Sequence, residues 1–480
     1  MRVSDYYRLG RTQPSLGFVD VRIDTDTRLF LSPRAIRTLP SEWGDHCVSL
    51  VQSFFGNVLS CIKNRESEKA VQLLRFLREL NETHLGLSKG KSRGRALGAR
   101  SVDDVWQALS KSEAAKSGLL TDLEDTVLMI EGISVDLVSD MLTNIIREPL
   151  ISFTQEICQL YNIPMASEVD SGPIWDPLSE QWTNRFFSLP TPNNEKLLLV
   201  PKEIVRVDMD YDVEKYYRNY LLEHFKEEEI KVGSDLVGML KSRKKKGEPK
   251  VFIKDLKKKY GEGKSAVVRH SLNNPSILKK YKDDNQKPSD PLPHQAFSDV
   301  SNTPRPDWNA LLRQVLDCDP GPEDAVSYEK ASEAFFTALF YPVLTNPRFQ
   351  HEIHDGRKRI DISYTNMASR GFFFWLSRHY SSANIFLECK NYSRDLANKE
   401  LDQIAGRFSP NRGRVGFIIG RSFHDKALFE RRCRDTAGDN RGYVILLDDN
   451  DLSLLASDAE SNLDYLDFPI LRSKFNQLID

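Results

Sequence analysis

Apolar positions change their period several times along this 480-residue chain. Over 17–31 they alternate, with Phe18, Val19, Val21 and Ile23, then Leu29, Phe30 and Leu31, interrupted by Asp24-Thr-Asp-Thr27. That pattern predicts two short strands around a polar turn. Over 43–80 the spacing becomes helical, with Val48, Val51, Phe54, Phe55, Val58 and Leu59 on one face and a second helix from Glu66. Ser101 reads as the N-cap of a helix running to Ser110. Two or three helices are expected over 122–159, ended by Ile163-Pro164. Residues 167–195 have no clear period and read as an extended connector, followed by strand candidates at 196–201 and 203–208. A helix over 213–229 carries the stripe Tyr216, Tyr217, Tyr220, Leu221 and Phe225, a core face. Three short helices follow over 252–260, 264–272 and 275–281.

The last third alternates between the two periods. A helix over 328–340 precedes a hairpin, 349–354 with 359–364. An amphipathic helix over 368–380 and a strand over 384–392 come next, then a helix over 399–407. Strands over 415–420 and 442–447 flank a helix over 425–435. The expected fold class is an α/β C-terminal domain, a mixed central sheet flanked by helices, joined to a mainly helical α+β N-terminal region. Seven prolines over 286–322 mark a linker. The expected division is a mixed, mainly helical domain (1–165), a connector with a basic helical domain (166–285), the linker (286–322) and the α/β domain (323–480).

Composition narrows the class. Charged residues at 28% and hydrophobic residues at 40% suit a globular chain, and no apolar run is long enough to span a bilayer. The start, Met1-Arg-Val-Ser-Asp-Tyr, has no apolar signal core, and the six cysteines are scattered without a C-x-x-C pair. Both point to a cytoplasmic protein with reduced thiols and no membrane partner. The net charge of -2 means that any polyanion surface is local. Residues 241–282 supply one candidate, with fifteen Lys or Arg against three acids. Lys244, Lys245, Lys257 and Lys258 stand at its centre as candidate DNA-backbone contacts, although a solvated basic face has the same composition. Within it Gly261-Glu-Gly-Lys-Ser265 imitates a phosphate loop, but Lys258 stands where the first glycine is needed, so there is no nucleotide-binding motif. The Gly-rich basic stretch 89–100 lacks that spacing too. Asp136, Asp140 and Asn144 share a helix face, as an acidic site or as a plain polar surface.

The strongest chemical signal lies in Asn384-Ile-Phe-Leu-Glu-Cys-Lys-Asn-Tyr392. Glu388 and Lys390 are two apart on a strand, so they share a face, and they close an apolar run where an unpaired charge is costly. The preceding strand sets Asp361 between Ile360 and Ile362. Two carboxylates suit a hard divalent cation, and a lysine beside them suits an activated water or a phosphate. A surface ion pair between Glu388 and Lys390 is the competing reading.

With Gln403 on the next helix, this order resembles the PD-(D/E)xK nucleases of the restriction-endonuclease-like fold, although Arg359-Ile360 replaces the usual Pro before the Asp. The resemblance covers the last third of the chain. It implies a metal-dependent DNA endonuclease. Asp361, Glu388 and the carbonyl of Cys389 would hold Mg²⁺ or Mn²⁺. Lys390 would serve the attacking water and the phosphate, and Gln403 would position the lysine or the scissile strand. Glu333, or else Glu329, would add an outer carboxylate. Arg407, Arg412 and Arg414, with Arg421 nearby, would contact phosphates. Such a nuclease with large attached domains resembles restriction or anti-phage effectors, and implies DNA together with a homo-oligomer or a partner protein of a defence system. The rivals are a non-catalytic DNA-binding or scaffold protein of the same fold, and an RNA-directed nuclease.

Overall fold

The structure, a computed structural model, describes residues 1–77, 80–87, 102–208, 211–239, 249–285, 290–353, 357–421, 423–461 and 465–480. Lys244, Lys245, the stretch 89–100 and Ser101 lie outside them.

The N-terminal half is organised on long helices. In α1 (Glu42–Asn64) the Ser41 hydroxyl caps the start by accepting from the Gly44 amide at 3.1 Å. Its face of Leu50, Phe54, Phe55 and Val58 shares a core with Leu137 and Met141 of α2 (Val135–Ile145) and with Tyr216, Tyr217 and Phe225. The aromatic stripe is therefore core, as its spacing predicts. The next helix, α3 (Arg147–Tyr161), packs Leu150, Phe153 and Ile157 against Val3, Phe18, Leu29, Leu197 and Ile204.

Three expectations change here. The two strands over 17–31 do not pair with each other. Phe30–Leu31 pairs antiparallel with Val205–Arg206, while the Val19 amide reaches the Val200 carbonyl at 2.9 Å. An alternating period marks extended chain but not its partner. Second, residues 166–189 are not a plain connector. Ala166–Asp170 pairs with Phe186–Leu189, and Ile174–Asp176 with Gln181–Thr183, where Trp175 and Trp182 both meet Phe54 of α1. These strands are too short for a period to show. Third, the boundary expected at residue 165 coincides with no break in packing. The three basic helices, α4 (Ile253–Tyr260), α5 (Gly263–Asn273) and α6 (Pro275–Asp284), put Leu256, Val267, Ile277 and Tyr281 into the α1 core.

The Pro-rich stretch is folded over much of its length. Its α7 (His294–Ser301) sends Phe297 into the N-terminal core, and α8 (Trp308–Leu316) sends Trp308, Leu311 and Val315 into the C-terminal one.

Beyond it lies a mixed α/β unit. Helix α9 (Ala325–Phe340) leads into β1 (Leu344–Ile353) and β2 (Lys358–Asn366). Then come α10 (Gly371–His379), β3 (Asn384–Lys390), α11 (Asn398–Ala405) and β4 (Val415–Gly420). Last are α12 (Lys426–Gly438), β5 (Tyr443–Leu447), α13 (Asp449–Ser461) and α14 (Pro469–Ile479). The five strands run in the order β5-β4-β3-β2-β1. Strands β1, β2 and β3 are antiparallel neighbours, and β3, β4 and β5 are parallel. Ile362, Leu387, Phe417 and Ile445 share a core with residues of α9, α10, α13 and α14, and Ile418, Val444 and Leu446 with Leu401 and Ile404 of α11 and Phe429 of α12. Burial on both faces explains why β3 and β4 read as apolar runs instead of alternating. Helices α13 and α14, which no expectation covered, close the first core with Leu452, Leu455, Leu471 and Phe475. Among the described residues no helix is long and apolar enough to cross a membrane.

Candidate active site

The register of β2 on β3 ends with Ile362 paired to Leu387, and the residues just beyond it are Asp361 and Glu388, where the Cys389 amide bonds the Asp361 carboxylate. Directly opposed residues share a face. Here it is the face that α11 covers, and Lys390 joins it two residues after Glu388. A small residue lets α11 come close. A Cβ added at Gly416 of β4 would lie 2.8 Å from Ile404 Cδ1 and 3.0 Å from the Phe386 carbonyl oxygen. The close approach brings Gln403 and Arg407 down onto the carboxylates.

The resulting cluster is tight. Lys390 Nζ donates to Glu388 Oε2 at 3.0 Å and lies 3.8 Å from Asp361 Oδ2. Gln403 Nε2 donates to the same Glu388 oxygen at 3.4 Å. Arg407 Nε sits 3.2 Å from Glu388 Oε1 and also donates to the Arg359 carbonyl, while Arg407 Nη1 donates to the Gln403 carbonyl at 2.7 Å. The Cys389 amide donates to Asp361 Oδ2 at 3.0 Å. Exposure is 8% for Asp361, 0% for Glu388 and 7% for Lys390, so the side chains meet one another rather than solvent. Burial, then Asp361, raises the Glu388 carboxyl above its usual range, against the pull of Lys390 and Arg407. Burial lowers Lys390, but Glu388 and Asp361 outweigh it and the ammonium is held above its ordinary value.

Asp361, Glu388, Lys390 and Gln403 thus come together. Glu333 does not join them by any contact. Its carboxylate lies 2.5 Å from Arg11 Nη1 and accepts from the Thr337 hydroxyl at 2.9 Å. Glu329, one turn earlier on α9, is the acid that senses the site. Burial and then Asp361 raise its carboxyl, Lys390 opposes them, and Gln350 Nε2 donates to it at 2.6 Å. For Cys389, the amide is the group bonded to Asp361, and the thiol is buried in the core with Ile362 and Leu387.

The arginines separate. Arg407 is in the cluster. Arg412 donates to the Arg407 carbonyl at 3.2 Å, one step behind it. Arg414 precedes β4 at the level of Asn384, far along the strand from Lys390, and bonds the Asn440 carbonyl. Arg421 follows β4 and holds the Val315 and Leu316 carbonyls at 2.8 and 2.9 Å. Beside it Asn391 Nδ2 holds the carbonyls of Asp319 and Gly321 at 2.8 and 3.0 Å, so the chain after α8 is strapped to the ends of β3 and β4. The contact of Arg407 with Glu388 was not legible in the sequence, because α11 ends at Ala405 and Arg407 sits in the turn that follows it.

Distant candidates are also placed. Asn144 is buried, and its amide donates back to the Asp140 carbonyl at 2.8 Å, which makes that row structural on this side. In the basic helices, Lys257 is 3.3 Å from Glu262, Lys259 pairs with Glu229, and Lys282 is 2.7 Å from Asp125. Lys254, Lys258, Lys279 and Lys280 are exposed and form no ion pair among the described residues.

The two carboxylates fit a cation in one respect that the geometry makes explicit. Glu388 Oε1 is buried and accepts no hydrogen bond among the described residues, and Arg407 Nε at 3.2 Å is the charge beside it. A hard divalent ion takes such oxygen lone pairs. No group of three or more His, Cys, Asp or Glu suited to a metal occurs among the described residues.

One family profile, a domain of unknown function (DUF8370), matches residues 8–212. Neither the curated proteins nor the solved structures give a match to the chain.

Proposed function

We propose that the C-terminal unit is a metal-dependent nuclease of the PD-(D/E)xK type, acting on DNA. The observation that carries the reading is the convergence of Asp361, Glu388, Lys390 and Gln403, from two strands and a helix, on one buried spot. Asp361 and Glu388 would hold Mg²⁺ or Mn²⁺, with Glu388 Oε1 exchanging its ion pair with Arg407 for the ion. A bound divalent ion lowers the pKa of an attached water and supplies the nucleophile. Lys390 keeps its proton beside two carboxylates and offers positive charge to the reacting phosphate. Gln403 and Arg407 hold Glu388 in place. The exposed lysines of α4 and α6 would bind backbone phosphates. The N-terminal unit, which includes the matched residues 8–212, would then sense a trigger or assemble the enzyme, as in restriction and anti-phage effectors.

One observation favours a second reading. Asp361, Glu388, Lys390 and Arg407 are almost fully buried and balance as two carboxylates against two cations, as in an ionic network of a non-catalytic DNA-binding or scaffold protein. A plasmid cleavage assay with and without Mg²⁺, run beside Lys390→Ala and with a matched RNA substrate, separates these readings. Metal-dependent cutting of DNA that Lys390→Ala abolishes supports the first. Cutting of RNA alone moves the substrate. Equal cutting by wild type and Lys390→Ala removes the site assignment.

A further inference from the structure

A cavity of about 560 Å³ shares no lining residue with the Glu388 cluster, and its chemistry is independent of that site. Its volume is in the range of small-molecule sites, which run to several hundred cubic ångströms. It is framed by α7, the start of α8, the entry to β1 and the end of α13.

Its walls are aromatic. The rings of His294 and Tyr341 lie 5.1 Å apart, and His294 meets Trp308 edge-on at 6.3 Å. His294 Nε2 is 2.9 Å from the Ala338 carbonyl, which can only accept, so Nε2 carries the hydrogen and Nδ1 keeps a lone pair. Burial, then Lys202, holds the imidazole down to about 3, so it stays neutral near pH 7.

The polar lining is uneven. Arg305 and Arg370 both line the cavity, and Arg305 is exposed and forms no ion pair among the described residues. The two acids in the lining are already engaged. Asp290 accepts from the Ser369 hydroxyl at 2.6 Å, and Glu460 accepts from Asn309 at 3.0 Å. Both carboxylates keep their negative charge but are held by Ser369 and Asn309, so Arg305, which forms no ion pair among the described residues, is the lining group that can pair with an anion. Flat rings supply stacking area, and a guanidinium supplies a fork for an anionic group.

We propose that this cavity binds a small, flat aromatic anion, stacked among His294, Tyr341 and Trp308 with its anionic group toward Arg305. Lys202 Nζ lies 4.0 Å over the ring of Tyr341, and His294 is tied to α9 through Ala338.

The probe is anilinonaphthalene sulfonate, a flat aromatic anion, titrated into the full chain. Its fluorescence should report one saturable site per chain, with energy transfer from Trp308 that Trp308→Phe reduces while binding persists. Arg305→Gln should weaken binding by about tenfold, as expected for one charge-assisted contact. Ala459→Trp should fill the cavity and abolish binding, because Ala459 lines it from α13. Should Ala459→Trp fail to fold, Arg305→Gln decides alone, since its side chain is exposed. Absent or non-saturable binding, or an affinity that Arg305→Gln leaves unchanged, overturns the proposal.

Discussion

Glu388 meets Lys390, Gln403 and Arg407 where no water dilutes the charges, so its neighbours fail in different ways when removed. Asp361→Asn and Glu388→Gln should each reduce metal-dependent cleavage by a hundredfold or more, on the order of the loss when one preorganised charged group is removed. Lys390→Ala should lose as much. On the proposed reading, calorimetric titration with Mn²⁺ should show the ion bound by Lys390→Ala and much more weakly by either carboxylate variant, since only those replace an anionic oxygen donor by a neutral amide. A second residue-scale expectation concerns Arg11 and Glu333, a pair 12% and 1% exposed at the side chain. Arg11→Ala leaves a carboxylate buried without its cation and should cost about 3–5 kcal/mol in urea unfolding. Adding Glu333→Gln should recover part of that loss, because the stranded charge is gone.

At the scale of elements, the seat of α11 on β4 decides where Gln403 and Arg407 reach. Gly416→Ala places a methyl against Ile404 and against the Phe386 carbonyl. It should cost about 1–3 kcal/mol by overpacking and lower cleavage further than that stability loss accounts for. The measurement is urea unfolding beside the plasmid assay under native conditions. The basic helices give the other expectation. Neutralising Lys254, Lys258, Lys279 and Lys280 should lower the slope of log affinity against log salt by about 0.9 for each phosphate that the protein no longer neutralises. Neutralising Lys257, Lys259 and Lys282 should leave the slope nearly unchanged, because Glu262, Glu229 and Asp125 already hold them. Equal effects from the two sets would assign the binding elsewhere.

At the scale of the whole molecule, the two halves meet across buried ionisable groups. Lys202 is 2% exposed, donates to the Pro14 carbonyl at 3.2 Å and lies over Tyr341 at the entry to β1. Burial lowers its amine from 10.5 to about 7, against Glu203 and Glu333. Between those values the unfolded chain holds a proton that the folded chain has released, so this group's contribution to stability rises with pH from about 7 toward 10.5. It falls as pH drops through the same window and is constant below it. Urea unfolding of wild type and Lys202→Met from pH 7 to 9.5 should differ in slope by up to about 1.4 kcal/mol per pH unit. Parallel curves would mean that the amine stays charged inside the fold.

The run Ile385 to Leu387 ending in Glu388 and Lys390 determined a buried strand with two charges on one face, because the pleat has a period of two. These local periods were enough to expect the alternation of elements and the shared face of Glu388 and Lys390, while the grouping with Asp361 and Gln403 as a site came from the family resemblance. They could not choose partners. Phe18 and Val19 read as strand, yet they run beside Pro201 and Val200, and Phe30 sits beside Arg206, since alternation specifies a face and leaves the neighbour open. Prolines told of a linker over 286–322, but burial of Phe297 and Trp308 in two different cores folded much of it. The choice between Glu329 and Glu333 was likewise tertiary. They stand four apart on one helix and look equivalent in sequence, and Arg11, more than three hundred residues away in the chain, engages Glu333 and leaves Glu329 as the acid that senses Asp361. A contact between residues so distant leaves no period in either segment, so only the folded packing tells the two carboxylates apart.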